Sequence, residues 1–254
     1  MLRRIIAQKR EDVSQRQLAR PLAQLREAIS KSDRNFFAAL HRPSLSLIAE
    51  LKRSSPSRGL IRPDFDVQAI ALIYEKQAQA ISVLCDEPFF GGSLLYLSQV
   101  RPITTVPLLC KDFILSEYQI WEARTYGADA VLLLASILDP PTIETYLILA
   151  RQLGMEGLVE VHSAAELNGV LATSARIIGV NNRDLHTLQI DEERVFQLAP
   201  RIREERRECL VVAESGFHRP EQIARLRGVA DAVLIGTTLM QAPDIAQRMG
   251  ELGW

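Results

Sequence analysis

The chain has 254 residues, 47% of them hydrophobic and 24% charged, with a formal net charge of −1. That length suits two small domains or one large barrel, and the even charge balance speaks against nucleic-acid or membrane partners. No apolar run reaches the roughly 18 residues of a membrane span, and the apolar stretch of MLRRIIAQKRED is too short for a secretory signal.

In chain order, the first forty or so residues carry helical periodicity around Leu18, Leu22, Leu25 and Ile29. They predict a helical extension over residues 1–43 that caps one end of the body formed by the rest of the chain. Eight short runs rich in Val, Ile and Leu come next, at 44–52, 80–86, 106–112, 130–136, 156–162, 176–182, 209–215 and 231–237. Each has a core of four to eight residues bounded by polar residues or Gly, as buried parallel strands do. Helical patterns lie between them at 67–77, 116–127, 141–154, 163–172 and 219–228. Gly127, Gly154 and Gly228 stand just past helix ends, and Ser116 and Ser163 at N-cap positions with Gln119 and Glu166 three residues on. Strands alternating with helices predict an α/β protein: one (β/α)8 TIM barrel over 1–254, with 1–43 as its N-terminal helical extension. An open doubly wound sheet would carry a Gly-rich phosphate loop after its first strand, and 44–52 is followed by none. The charge run RIREERRE at 201–208 reads as a solvated face.

Only five of the thirty basic residues are lysine: Lys9, Lys31, Lys52, Lys76 and Lys111. Arginine stays charged, whereas lysine can exchange its proton, so a lysine kept in such a chain is a candidate acid, base or nucleophile. Lys52 and Lys111 fall at strand ends; the other three lie in polar or helical segments, where a solvated role suffices. Cys85, Cys110 and Cys209 are widely spaced within apolar runs and read as buried thiols of a reducing compartment. His41, His162, His186 and His218 form no metal-binding spacing, so no metal is expected.

In a barrel of this kind the active site lies at the C-terminal ends of the strands. Those ends hold Glu50 and Lys52, Cys85 and Asp86, Lys111 and Asp112, Ser136, Glu160 and His162, Asn181 to Arg183, Glu214 and Ser215, and Gly236 and Thr237. Period-two alternation puts Ser46, Ile48, Glu50 and Lys52 on one face and Leu45, Leu47, Ala49 and Leu51 on the other. By the same rule Lys111 shares a face with Leu109, and Glu160 with Leu158 and His162. Two lysines and two glutamates thus converge on one mouth, as acid–base machinery or as ion pairs that hold it together. ESGF and IGTT follow strands seven and eight, where this fold binds phosphate, and Gly216 and Gly236 allow backbone N–H groups close to an anion. The loop SSPSRG after strand one adds hydroxyls. A phosphorylated small molecule is the expected partner.

The segments IAELKRSSPSRGLI, EPFFGGSL, PLLCKDFILSEYQIWEARTYGADAVLLLASIL, GLVEVHS, IIGVNNRDL, VAESG and AVLIGTTLM together resemble the indole-3-glycerol phosphate synthase family, collinearly and over nearly the whole chain. The resemblance implies a monofunctional, cofactor-free lyase of tryptophan biosynthesis. It would close the ring of 1-(2-carboxyphenylamino)-1-deoxyribulose 5-phosphate with loss of carbon dioxide and water. It implies Lys111 as general acid, Glu160 as proton-transferring carboxylate, and Glu50 with Lys52 as a second acid–base and carboxylate-anchoring pair. Asn181 would orient a hydroxyl or Glu50, Arg183 would anchor an anion, and Ser215 would make a polar contact. Phe90, Phe113 and Leu132 would wall the aromatic ring; Ser55, Gly216, Gly236 and Thr237 would hold the phosphate. His162 is expected only to pack at the mouth or to support a neighbour. A cytoplasmic monomer or weak homo-oligomer is expected, with no nucleic acid or membrane partner. Two alternatives are a Schiff-base lysine aldolase, which borohydride would trap, and a sugar-phosphate-binding barrel without activity, which would not need such an acid–base array.

Overall fold

The computed structural model describes residues 1–27, 29–184 and 187–254. Eight parallel strands close into a barrel: β1 (Ser46–Leu51), β2 (Ala80–Leu84), β3 (Leu108–Lys111), β4 (Ala130–Leu134), β5 (Glu156–Val161), β6 (Ile177–Asn181), β7 (Leu210–Glu214) and β8 (Ala232–Ile235). Each pairs with its chain neighbours, and β8 closes on β1 in the register Ser46 with Ala232 to Ala49 with Ile235. All eight expected strands form. Most of the expected runs are longer, because residues at one or both of their ends lie outside the ladder; of these, Lys52, Asp112, Ser215, Gly236 and Thr237 line the mouth.

The alternation of side chains holds. Ile48, Leu109, Leu132, Leu134, Leu158, Ile177, Leu210, Val212 and Leu234 fill the barrel interior. Leu47, Ala49 and Leu51 belong to the larger cluster beneath the outer helices. Those helices include Val67–Tyr74, Glu117–Thr125, Pro140–Gln152, Ala164–Leu171 and Pro220–Leu226. Gly127, Gly154 and Gly228 have positive φ just past helix ends, where a side chain would be strained. Ser163 caps its helix by accepting the Glu166 N–H at 3.2 Å. Ser116 stands at an N-cap, but its hydroxyl accepts no cap bond. Gln119 instead ties down the loop before the helix, accepting the Leu115 N–H at 2.8 Å and donating to the Phe113 carbonyl at 2.7 Å.

Among the described residues, three helices precede the barrel: α1 (Leu2–Ala19), α2 (Leu22–Glu27) and α3 (Phe36–Leu40). Pro21 separates α1 from α2, since a helix disfavours the residue before a proline. The periodicity at Leu18, Leu22, Leu25 and Ile29 therefore spans two helices, and Leu18 is 82% exposed. The buried face of α1 is instead Leu2, Ile5, Lys9 and Val13. Nor does the extension cap a single end. From α3, Phe36 and Leu40 enter the interior cluster where the strands start; Ser46 donates to the Leu40 carbonyl at 3.0 Å, and Arg176 stacks over Phe37 at 4.1 Å. At the opposite end, α1 meets residues that follow β2 and β3.

RIREERRE is only partly a solvated face. Arg206 donates to the Thr173 and Ala175 carbonyls, and Arg203 pairs with Asp231 at 2.6 Å. Cys85, Cys110 and Cys209 are free and buried, as expected. No helix of the described residues is long and apolar enough to cross a membrane.

Candidate active site

Where the strands end, a cavity of about 520 Å³ opens. All fourteen residues expected at the site line it: Lys111, Glu160, Glu50, Lys52, Asn181, Arg183, Ser215, Phe90, Phe113, Leu132, Ser55, Gly216, Gly236 and Thr237. His186 and Leu185, noted among the histidines and in the VNNRDL motif, lie outside the described residues.

At its floor the Lys111 Nζ lies 3.0 Å from Glu160 Oε2 and 2.5 Å from Glu214 Oε2. Burial works against the ammonium, but the carboxylates of Glu214 and Glu160 outweigh it and hold the lysine charged well past its ordinary range. Burial would likewise raise Glu160, yet Lys111 and then His162 keep it far below the usual carboxylate range. Glu214 goes the other way. Burial and the charge of Glu160 prevail over Lys111 and push its carboxyl up to about 8. One ammonium between two buried carboxyls thus yields a charged base and, near neutral pH, a protonated acid.

Glu214 is the member the sequence reasoning left unassigned. It follows Leu210 and Val212 at period two, so the alternation that placed Glu160 inside also places Glu214 there. A second signal is Gly179, in mid-strand on β6. A Cβ there would overlap Glu214 Oε1, so glycine makes room for the carboxylate to cross the barrel. Gly236 does the same for Glu50, whose Oε2 occupies the space a Cβ would need.

Lys52 pairs with Glu50 at 2.5 Å on the β1 side of the same cavity. Asn181 donates to Glu160 Oε1 at 2.9 Å, so it orients Glu160, whereas the resemblance pointed to a hydroxyl or Glu50. The reason is register: Asn181 is on β6, beside β5, and far around the ring from β1. The Asn181 Oδ1 accepts the Arg183 N–H, and the Arg183 guanidinium donates to the Leu188 carbonyl at 3.0 Å. Of the two roles expected of His162, the geometry fits support of a neighbour. Its Nε2 lies 3.1 Å from Glu160 Oε1 and its Nδ1 3.4 Å from Glu166 Oε2. Burial disfavours its charge, but the two carboxylates raise its pKa to about 9.

The part of the cavity where the sequence leads one to expect a phosphate is built largely from backbone. Ser215 at φ 67° and Gly216 at φ 95° are both left-handed, and the non-glycine Ser215 is strained there. Gly236 and Thr237 begin the short helix Thr237–Met240, and Ser55 sits on a two-stranded ribbon, Ser54–Ser55 with Gly59–Leu60. The rings of Phe90 and Phe113 are 6.1 Å apart and tilted by 39°, and the helix that carries Phe90 lies against the Ser54–Ser55 ribbon.

One expectation fails outright. Lys9 is no solvated lysine: it is 2% exposed and bound to Asp86 and Asp112. Its place on the Leu2, Ile5, Lys9, Val13 stripe was the available signal. Lys31 and Lys76 are exposed.

A family model described as indole-3-glycerol phosphate synthase matches residues 2–252. The protein of that name from Roseiflexus castenholzii is 47% identical over 266 aligned residues, covering 100% of this chain and 98% of its own. Its counterpart from Dehalococcoides mccartyi is 44% identical, covering 99% of both chains. Among solved structures, 3-hexulose-6-phosphate synthase from Salmonella typhimurium superposes with a TM-score of 0.62 over 82% of this chain and 96% of its own. At 15% identity that likeness concerns the barrel alone.

Proposed function

The chain belongs to the indole-3-glycerol phosphate synthase family, and from that membership we propose how the residues of its cavity divide the chemistry. The reaction forms indole-3-glycerol phosphate in tryptophan biosynthesis. Its substrate, 1-(2-carboxyphenylamino)-1-deoxyribulose 5-phosphate, loses its carboxylate as carbon dioxide and its ketone oxygen as water. One proton is taken up overall.

The observation that carries the assignment is Lys111, half-buried between Glu160 and Glu214. Ring closure needs a proton delivered to the ketone oxygen as the ring carbon attacks, and Lys111, held as ammonium, supplies it. Decarboxylation then returns the electron pair to the ring. Dehydration needs a base to remove a proton next to the new hydroxyl and an acid to protonate that hydroxyl as it leaves. Glu160 is the base: it stays ionised, and Asn181 and His162 fix its orientation. Glu50 with Lys52 serves as the second acid–base pair and meets the substrate carboxylate, with Arg183 as a further anion anchor. Ser55, Gly216, Gly236 and Thr237 hold the phosphate at one end. Phe90, Phe113 and Leu132 wall the ring, and Ser215 makes a polar contact.

A lysine held charged beside the ionised Glu160 is a proton donor and a poor Schiff-base nucleophile, which must be neutral to attack. This favours acid–base chemistry over an aldolase. We treat residues 1–254 as one barrel unit with 1–43 as its extension, working in the cytoplasm as a monomer or weak homo-oligomer without cofactor.

The test is turnover. Incubation with the substrate gives the rise of indole fluorescence, and a folded protein without product would overturn the assignment. Lys111→Arg keeps the charge but cannot release a proton, and its kcat falls by about a hundredfold or more. Near-normal kcat in that variant removes Lys111 from the role of general acid.

A further inference from the structure

Helix α1 does not merely lie over the cavity; with Met1, its residues Leu2 and Ile5 form part of the lining. The next residue on the same buried face is Lys9. Its Nζ lies 2.9 Å from Asp86 Oδ2 and 2.6 Å from Asp112 Oδ1, and all three side chains are at most 3% exposed.

Each aspartate has a second task. Asp86 Oδ1 accepts the Phe89 N–H at 2.9 Å and starts the short helix Glu87–Phe90, which carries Phe90. Asp112 Oδ1 accepts the Phe113 N–H at 2.8 Å and follows Lys111 directly. One ammonium therefore joins α1 to both loops that present the facing phenyl rings. Stability alone does not call for it, since well-packed apolar groups commonly replace buried ion triads without loss. Nor does charge alone call for lysine in a chain where twenty-five of the thirty basic residues are arginine. The compact ammonium fits between two carboxylates where the planar guanidinium would not.

We infer that Lys9 is a positioning residue for the reaction: it clamps α1 onto the loops of Phe90 and Phe113 and so shapes the seat of the substrate's carboxyphenyl ring, leaving the phosphate end untouched. The inference rests on the assignment of the cavity made above.

Lys9→Met by itself leaves two buried carboxylates without a partner. The triple variant Lys9→Met, Asp86→Asn, Asp112→Asn does not, and the asparagines keep the Oδ1 acceptors for Phe89 and Phe113. Calorimetric titration of wild type and triple variant uses two probes: indole-3-glycerol phosphate, and glycerol 3-phosphate, which has the phosphate but no ring. The expected result is product binding weakened about tenfold or more, KM raised more than kcat is lowered, and unchanged affinity for glycerol 3-phosphate. Equal product affinity in a folded, active triple variant overturns the inference alone. A parallel loss of glycerol 3-phosphate affinity also overturns it, because that marks general loosening. Absence of turnover in the wild type overturns the parent assignment and the inference with it.

Discussion

The chemistry of this protein turns on how few countercharges its buried groups share. Lys111 is wedged between Glu160 and Glu214, and His162 stands behind Glu160 with both ring nitrogens facing carboxylates. In the proposed ring closure Lys111 gives its proton away, which leaves His162 as the cationic group beside Glu160. The raised pKa of that ring, about 9 against an ordinary 6.5, has a consequence for stability. A raised cationic group stabilises the fold fully below its unfolded pKa and loses that contribution as pH climbs through the folded value. The loss falls between about pH 6.5 and 9 and is at most on the order of 3 kcal/mol for a side chain 8% exposed. Glu214, whose carboxyl is pushed up to about 8, adds a loss of the same sign, between its unfolded range and pH 8. Thermal melts of the wild type thus fall in Tm across this window. His162→Asn shows a shallower fall, and parallel curves for the two proteins would refute the role given to the ring.

At the level of elements, two mid-strand glycines separate what the barrel interior needs from what its outer face needs. Gly179 on β6 faces Glu214 and Leu158 inside, whereas Gly157 on β5 faces Leu147 of the helix Pro140–Gln152 outside. Adding a methyl group to either overpacks its surroundings, at about 1–3 kcal/mol. The functional outcomes differ. Gly179→Ala drives the Glu214 carboxylate off its position 2.5 Å from Lys111, so kcat drops by about tenfold or more as the acid–base cluster loses a member. Gly157→Ala lowers stability and leaves kcat of the folded enzyme near wild type. Steady-state rates with parallel melts of both variants check the contrast, and equal kcat losses would contradict it.

On the scale of the whole molecule, the N-terminal segment is the clasp of the barrel. It brings Phe36 and Leu40 into the interior where the strands begin and Lys9 to the mouth where they end. A second tether, Arg16 to Glu122 at 2.9 Å, fixes the later part of α1 to the helix Glu117–Thr125. The two ends then have separable duties. Phe36 is fully buried at the end remote from Lys111, so Phe36→Ala costs about 3–5 kcal/mol of stability. Its KM and kcat, measured below its lowered melting range, stay near wild type. A large change in KM would show that the two ends are coupled.

The eight strands, the closing of the barrel and the inward set Ile48, Glu50, Leu109, Lys111, Leu158 and Glu160 were legible in the amino-acid order alone. Their period of two is a local property of extended backbone, and strand ends carry the same residues however the helices pack. The motifs also gathered fourteen residues that all line the cavity, because a barrel brings the ends of all its strands to one mouth. What only the tertiary structure decided was partnership across the ring and between distant segments. Asn181 attends Glu160 and not Glu50, Glu214 shares Lys111, Gly179 and Gly236 are spaces for carboxylates, and Lys9 is a buried clamp. None of these can be read from neighbours in the chain. Each depends on which side chains the closed barrel sets within a few ångströms of one another, where a low dielectric makes a single missing partner decisive.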